Sequence, residues 1–187
     1  MDIEKFYVKY DDVHHEVESL YRQIANSNYL PDYIIAIGTG GFIPARILRS
    51  YLNIPIICIT VGFYNKNDKL QKKAKRIQMI EKDSPEHKMI KGKKIMVIDE
   101  LDDTRYTLQY ITDLLLDLGP KEIGVGVLHN KCKEKKGKLN KSIKYFSGKT
   151  IADKWIIYPW ESTDIDKHNQ LCEQSKYIDS HKSSRYK

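Results

Sequence analysis

The sequence predicts an α/β fold: a mostly parallel sheet with helices on both faces. Two observations predict it. Short runs rich in isoleucine and valine recur along the chain, and segments of helix length with glycine and proline at their ends separate them.

The elements follow in order. Val13, Val17, Leu20 and Ile24 recur at spacings of four, three and four, which places them on one face of a first helix. "YIIAIG" (33–38) reads as a buried strand that ends on glycine. In "TGGFIPARILRSYL" (39–52), Gly40 and Gly41 give a tight turn and Pro44 suits a first helical turn. Ile47, Leu48 and Tyr51 form that helix's apolar side. "IPIICITVGF" (54–63) is a second strand and "KKIMVI" (93–98) a third. Leu108, Ile111, Leu115 and Leu118 again keep helical spacing and stop at Gly119 and Pro120. "EIGVGVLH" (122–129) is a fourth strand.

With 187 residues and 41% hydrophobic composition the chain can bury one core, so a single domain over 1–187 is expected. No apolar run approaches the roughly 18 residues of a membrane span, and "MDIEKFYVKY" lacks the features of a signal peptide. An intracellular, cytoplasmic protein is expected. Cys58, Cys132 and Cys172 are odd in number and widely spaced, which argues against a disulfide framework or a zinc site. The six histidines show no metal spacing.

The net charge of +7 calls for an anionic partner. It concentrates in "NKNDKLQKKAKR" (65–76) and "HNKCKEKKGKLNKSIK" (129–144), neither of which has helical periodicity, so both are expected to be loops. Aromatic residues are not interleaved with the lysines as single-strand binding would require, so a phosphorylated small molecule suits the charge as well as nucleic acid does. The tail "SKYIDSHKSSRYK" (175–187) is polar, basic and expected to be poorly ordered.

Parallel sheets of this kind bind ligands beyond the carboxyl ends of their strands. Both "GTGG" (38–41) and "DDTRYT" (102–107) follow a strand and precede a helix there. In the second, Asp103 or Thr104 can cap the helix, and the amides of 104–107 lack helical acceptors. With the Thr104 and Thr107 hydroxyls they would cradle a phosphate monoester. Asp99 and Glu100, just before, would accept hydrogen bonds from vicinal hydroxyls or hold a divalent cation. A ribose 5-phosphate has this shape. The bland alternative is a solvated acidic turn with an ordinary helix cap.

"IMVIDELDDTRYTL" (95–108) resembles the phosphoribosyl diphosphate (PRPP) motif of type I phosphoribosyltransferases. "IIAIGTGGFIPARIL" (34–48) resembles their pyrophosphate loop and the helix after it. "VLHNK" (127–131) and "IADKWIIYPWE" (151–161) resemble the base-binding segments of the purine salvage branch, most like fungal-type hypoxanthine-guanine phosphoribosyltransferases.

The resemblance implies the type I fold, with a small hood from the N- and C-terminal segments that includes about 150–175, and a flexible lid near 62–76. It implies PRPP and a 6-oxopurine as substrates, Mg²⁺ as cofactor, and a homodimer. Residue by residue, Asp99 and Glu100 would bind the ribose hydroxyls. Asp103, Thr104, Arg105, Tyr106 and Thr107 would wrap the 5-phosphate. Thr39 and Gly40 would face the pyrophosphate, at a place where the family often has a non-proline cis peptide. Asp103 would also act beside N7 of the purine as base or proton stabiliser. Lys131, Trp155 and Ile156 would bind the base, and Glu161, with Asp99 and Glu100, the metal.

Four positions depart from the usual pattern: Arg105 where glycine is common, Glu100 for a second Asp, Thr39 for Lys or Arg, and Phe63-Tyr64 for a Ser-Tyr pair. An alternative reading is a PRPP-sensing regulator that binds nucleic acid through its basic loops.

Overall fold

The computed structural model describes residues 4–64 and 70–183, with side chains for 4–62 and 75–175. In chain order the elements are β1 (Lys5–Tyr7), α1 (Tyr10–Asn26), β2 (Tyr33–Gly38), α2 (Phe42–Leu52), β3 (Ile56–Tyr64) and β4 (Leu70–Gln78). There follow α3 (Pro85–Ile90), β5 (Lys94–Asp102), α4 (Tyr106–Leu116), β6 (Glu122–Lys131), β7 (Lys144–Ile151), β8 (Trp155–Ile157) and α5 (Ile165–Ser183).

Six strands form the main sheet in the order β4-β3-β2-β5-β6-β7. All neighbours pair in parallel except β4, which runs antiparallel to β3. Alternation along the strands builds two cores. Ile34 and Ala36 of β2 and Met96 and Ile98 of β5 pack with Val13, Val17, Leu20 and Ile24 of α1 and with Ala45 and Leu48 of α2. Ile35 and Ile37, with Ile95 and Val97, face the other way onto Leu108, Ile111 and Leu115 of α4. The chain leaves β2 toward one face and β5 toward the other. These neighbouring strands therefore open a crevice between their carboxyl ends, the topological switch point where such sheets bind ligands.

Several elements differ from expectation. β5 continues past its apolar run to Asp102, so both acidic pairs stand on the strand or at its end. Leu118 lies beyond α4. The segment 70–76, expected to be loop, is strand; its lysine-rich sequence suits an exposed edge, where charge discourages further pairing. The tail backbone is helical as far as Ser183. A separate two-stranded sheet pairs β1 with β8, fixing Trp155 opposite Lys5. No described helix is long and apolar enough to cross a membrane, and the three cysteines form no disulfide.

Gly41 lets α2 enter the crevice. A Cβ there would lie 2.5 Å from the Ile98 carbonyl oxygen and 2.6 Å from that of Ile37, both backbone atoms of packed central strands. Gly41→Ala is expected to cost about 2 kcal/mol through overpacking, a fall of roughly 4–8 °C in the midpoint of thermal unfolding. Differential scanning fluorimetry measures it, and an unchanged midpoint would show that the crevice is looser than described.

Candidate active site

The site begins with the four carboxylates that end β5. Asp99 is 7% exposed, and its Oδ1 accepts from the Glu100 amide at 2.9 Å. Burial, and after it the charge of Glu100, push the Asp99 carboxyl well above the usual carboxylate range. Oε2 of Glu100 is buried without a hydrogen-bond partner among the described residues. The turn after β2 closes on this group, because a Cβ on Gly40 would overlap the Glu100 carboxyl. The Gly38–Thr39 peptide in that turn is cis.

The backbone of Glu100 is held from behind. The Tyr158 hydroxyl donates to its carbonyl at 3.0 Å and lies 3.0 Å from His129 Nδ1. His129 Nε2 in turn lies 2.9 Å from Glu16 Oε2 on α1. Burial, then the charges of Glu100 and Asp99, push the Tyr158 phenol up, so it remains a proton donor.

The second acidic pair is treated differently. Asp102 is fully buried and meets Nε and Nη2 of Arg105 at 2.9 and 2.7 Å, the Tyr145 hydroxyl at 2.8 Å, and Lys135 Nζ at 3.6 Å. Asp103 Oδ1 lies 3.3 Å from Lys131 Nζ and 3.0 Å from Lys133 Nζ, and both lysines also reach Asp153. Neither Asp103 nor Thr104 caps α4. The N-cap is Arg105, in a left-handed conformation at φ 70°, because the Asp103 carboxylate is drawn to the two lysines instead. The Arg105 guanidinium turns to Asp102 and stacks over Tyr145.

A cleft of about 610 Å³ collects Asp99, Glu100, Asp103, Thr104, Arg105, Thr107, Lys131, Trp155, Ile156 and Glu161. Thr39, Gly40 and Tyr106 are not among its lining residues, although Gly40 abuts Glu100. Lys131 is the last residue of β6 and is buried, while Trp155 opens β8 and is 58% exposed. Glu161 spends one carboxylate oxygen on the Tyr158 amide at 3.3 Å. Among the described residues no three of His, Cys, Asp and Glu gather as a ligand set. Of the expected lid at 62–76, residues 65–69 and the side chains of 63–74, those of Phe63 and Tyr64 included, lie outside the described residues, while the remaining backbone belongs to β3 and β4.

The sequence reasoning missed Asp102, Tyr145, Lys133, Lys135, Asp153, Tyr158, His129 and Glu16. One signal was available: Lys131, Lys133 and Lys135 alternate, continuing the strand period of two beyond the end of β6.

The raised Asp99 value fixes the sign of a prediction. A carboxyl that titrates higher in the folded than in the unfolded chain destabilises the fold as pH rises through the folded value. Asp99→Asn is therefore expected to raise the unfolding midpoint of the ligand-free protein, by roughly 2–4 °C for each kcal/mol relieved, with a gain that grows with pH. Thermal melts between about pH 5 and pH 9 measure it; a gain that falls with pH would contradict the buried-pair geometry.

The phosphoribosyl transferase domain family matches residues 9–163. Hypoxanthine-guanine phosphoribosyltransferase of Schizosaccharomyces pombe is 37% identical, over 90% of this chain and 95% of that protein. Xanthine phosphoribosyltransferase 1 of Saccharomyces cerevisiae is 34% identical over the same shares. Among solved structures, a hypothetical protein from Neisseria gonorrhoeae with bound ppGpp superposes with a TM-score of 0.84 at 40% identity, covering 93% of this chain and 98% of that one. A mostly parallel sheet with the cleft at its switch point, matched by that family over most of the chain, shows that the protein belongs to the phosphoribosyltransferases of type I fold.

Proposed function

We propose that the chain is a purine salvage enzyme, transferring phosphoribose from PRPP to hypoxanthine or guanine, with xanthine a further acceptor, and releasing pyrophosphate and the nucleotide. One observation carries this reading: a single cleft brings together a turn of free amides and hydroxyls, an acid pair with no built-in cation, and a lysine beside an exposed tryptophan. Phosphate, diol and purine call for those three chemistries in turn. Relatives at 34–37% identity are named for these reactions, and the Neisseria protein's ligand carries guanine, ribose and phosphates.

In this reading Asp99 and Glu100 accept hydrogen bonds from the ribose hydroxyls, and the amides and hydroxyls from Thr104 to Thr107 hold the 5-phosphate. Thr39 and Gly40 face the pyrophosphate. Lys131 donates to the 6-oxo group, Trp155 stacks on the base, and the Ile156 backbone meets its edge. Asp103 takes up or steadies the proton at N7. The orphaned Glu100 oxygen suits a divalent cation. Asp99 and Glu100 would hold Mg²⁺ partly through ribose oxygens and water, and Glu161 would serve a second Mg²⁺. When bound, the ion offsets the charge that departs with pyrophosphate.

A nucleic-acid-binding regulator would need the 129–144 lysines free for phosphates. Lys131 and Lys133 are paired with Asp103 and Asp153, and Lys135 is turned inward onto backbone carbonyls, which favours the enzyme.

A spectrophotometric assay of hypoxanthine, guanine, xanthine and adenine with PRPP and Mg²⁺ tests the reading. Turnover is expected with 6-oxopurines and not with adenine. Asp103→Asn is expected to lower kcat by about 100-fold, and Lys131→Met to raise the KM for the base by roughly tenfold or more. No turnover with any base, alongside salt-sensitive oligonucleotide binding, would overturn the assignment in favour of the regulator.

A further inference from the structure

We propose that the basic loop 132–138 is the mould of the phosphate cradle, with Lys135 its principal positioning residue. The inference rests on the phosphate-binding reading of residues 104–107 and goes beyond it. Consecutive carbonyls of that turn are all fastened on the side away from the cleft. Lys135 Nζ donates to the carbonyls of Asp102 and Asp103 at 2.6 and 3.0 Å. The amides of Lys136 and Gly137 donate to the Thr104 carbonyl at 3.1 and 2.9 Å. The Gln109 amide takes the Arg105 carbonyl at 2.9 Å.

Peptide planarity turns this into a statement about donors. In a trans peptide the C=O of one residue and the N–H of the next point in opposite directions. Holding the carbonyls of 103, 104 and 105 on one side aims the amides of Thr104, Arg105 and Tyr106 to the other. None of these three amides donates a hydrogen bond among the described residues. They are left for a ligand in the cleft that Thr104 and Arg105 line.

Two further features hold the same turn. Arg105 spans back to Asp102 through two hydrogen bonds and keeps a positive φ despite its side chain. Gly137 allows the mould its close approach, since a Cβ there would lie 2.5 Å from the Arg105 carbonyl oxygen and 2.9 Å from the Tyr106 nitrogen. Both are backbone atoms, which cannot swing aside as a side chain would.

Lys135 is thus a positioning residue whose removal should be felt by the phosphate and not by the base. The readout is the ratio of guanosine to GMP dissociation constants, measured by calorimetry on the full chain, wild type against Lys135→Met and Gly137→Ala. Each variant is expected to lower that ratio roughly tenfold by weakening GMP binding while guanosine binding stays within about twofold. Lys135→Arg, which restores a cationic donor, should recover part of the loss.

Wild-type discrimination with equal discrimination in both folded variants would overturn the inference alone. So would a loss shared equally by guanosine and GMP, the mark of general damage. A wild type that binds GMP no better than guanosine would overturn the phosphate-cradle reading together with the inference.

Discussion

Everything in this site depends on how charge is balanced at the end of one buried strand. β5 and the residue after it set four carboxylates within five residues, and burial makes an ionised group such as Asp99 or Asp102 costly unless something compensates it. Asp102 and Asp103 carry their compensation with them: Arg105, Lys135 and Tyr145 for the first, Lys131 and Lys133 for the second. Asp99 and Glu100 have no lysine or arginine paired with them among the described residues. In the proposed reading that pair is left for a ligand to satisfy, and burial, with the charge of Glu100 after it, raises the titration of Asp99.

Chain order puts this pair where a ligand can reach it. β5 lies between β2 and β6, and the connections after β2 and β5 depart to opposite faces of the sheet. Gly40 and Gly41 can then lie against Glu100 and the Ile98 carbonyl, closing the inner side of the crevice without filling it. On the other side β6 carries Lys131 to the same level as Asp102 and Asp103, through a register that pairs Asp102 with Asn130. Acid, amide and lysine meet because three parallel strands end together.

Much of this was legible because central strands and their helices carry their burial in their periodicity. β2 lies where "YIIAIG" predicted it, and α1 buries Val13, Val17, Leu20 and Ile24 as their spacing required. The edges were not legible for the same reason. β4 is rich in lysine, and β7 mixes Lys144 and Lys149 with Phe146, so neither shows the apolar run that marks a central strand. Single residues divided likewise. Local order placed Asp99 and Glu100 just before the turn and Thr104 within it. Nothing local could say that Lys135 reaches back 33 and 32 residues to two carbonyls, or that Tyr158, just after β8 of the other sheet, meets His129 and Glu100. These contacts belong to the fold, and a motif does not record them.

The two ways of balancing charge also separate what is fixed from what can rearrange. Asp102 is fully buried, and stripping one partner from a buried ion pair commonly costs about 3–5 kcal/mol, so the turn it anchors should hold its shape whether or not a ligand is bound. Asp103 and Asp153 are much more open to solvent, where ion pairs are worth about 0–1 kcal/mol, and they share two lysines between them. If Lys131 leaves both to meet a purine oxygen, Lys133 still lies 3.0 Å from each. The second lysine lowers the cost of releasing the first. In the proposed reaction the phosphate end is therefore preorganised, while the base end can exchange its own ion pairs for the substrate at little cost.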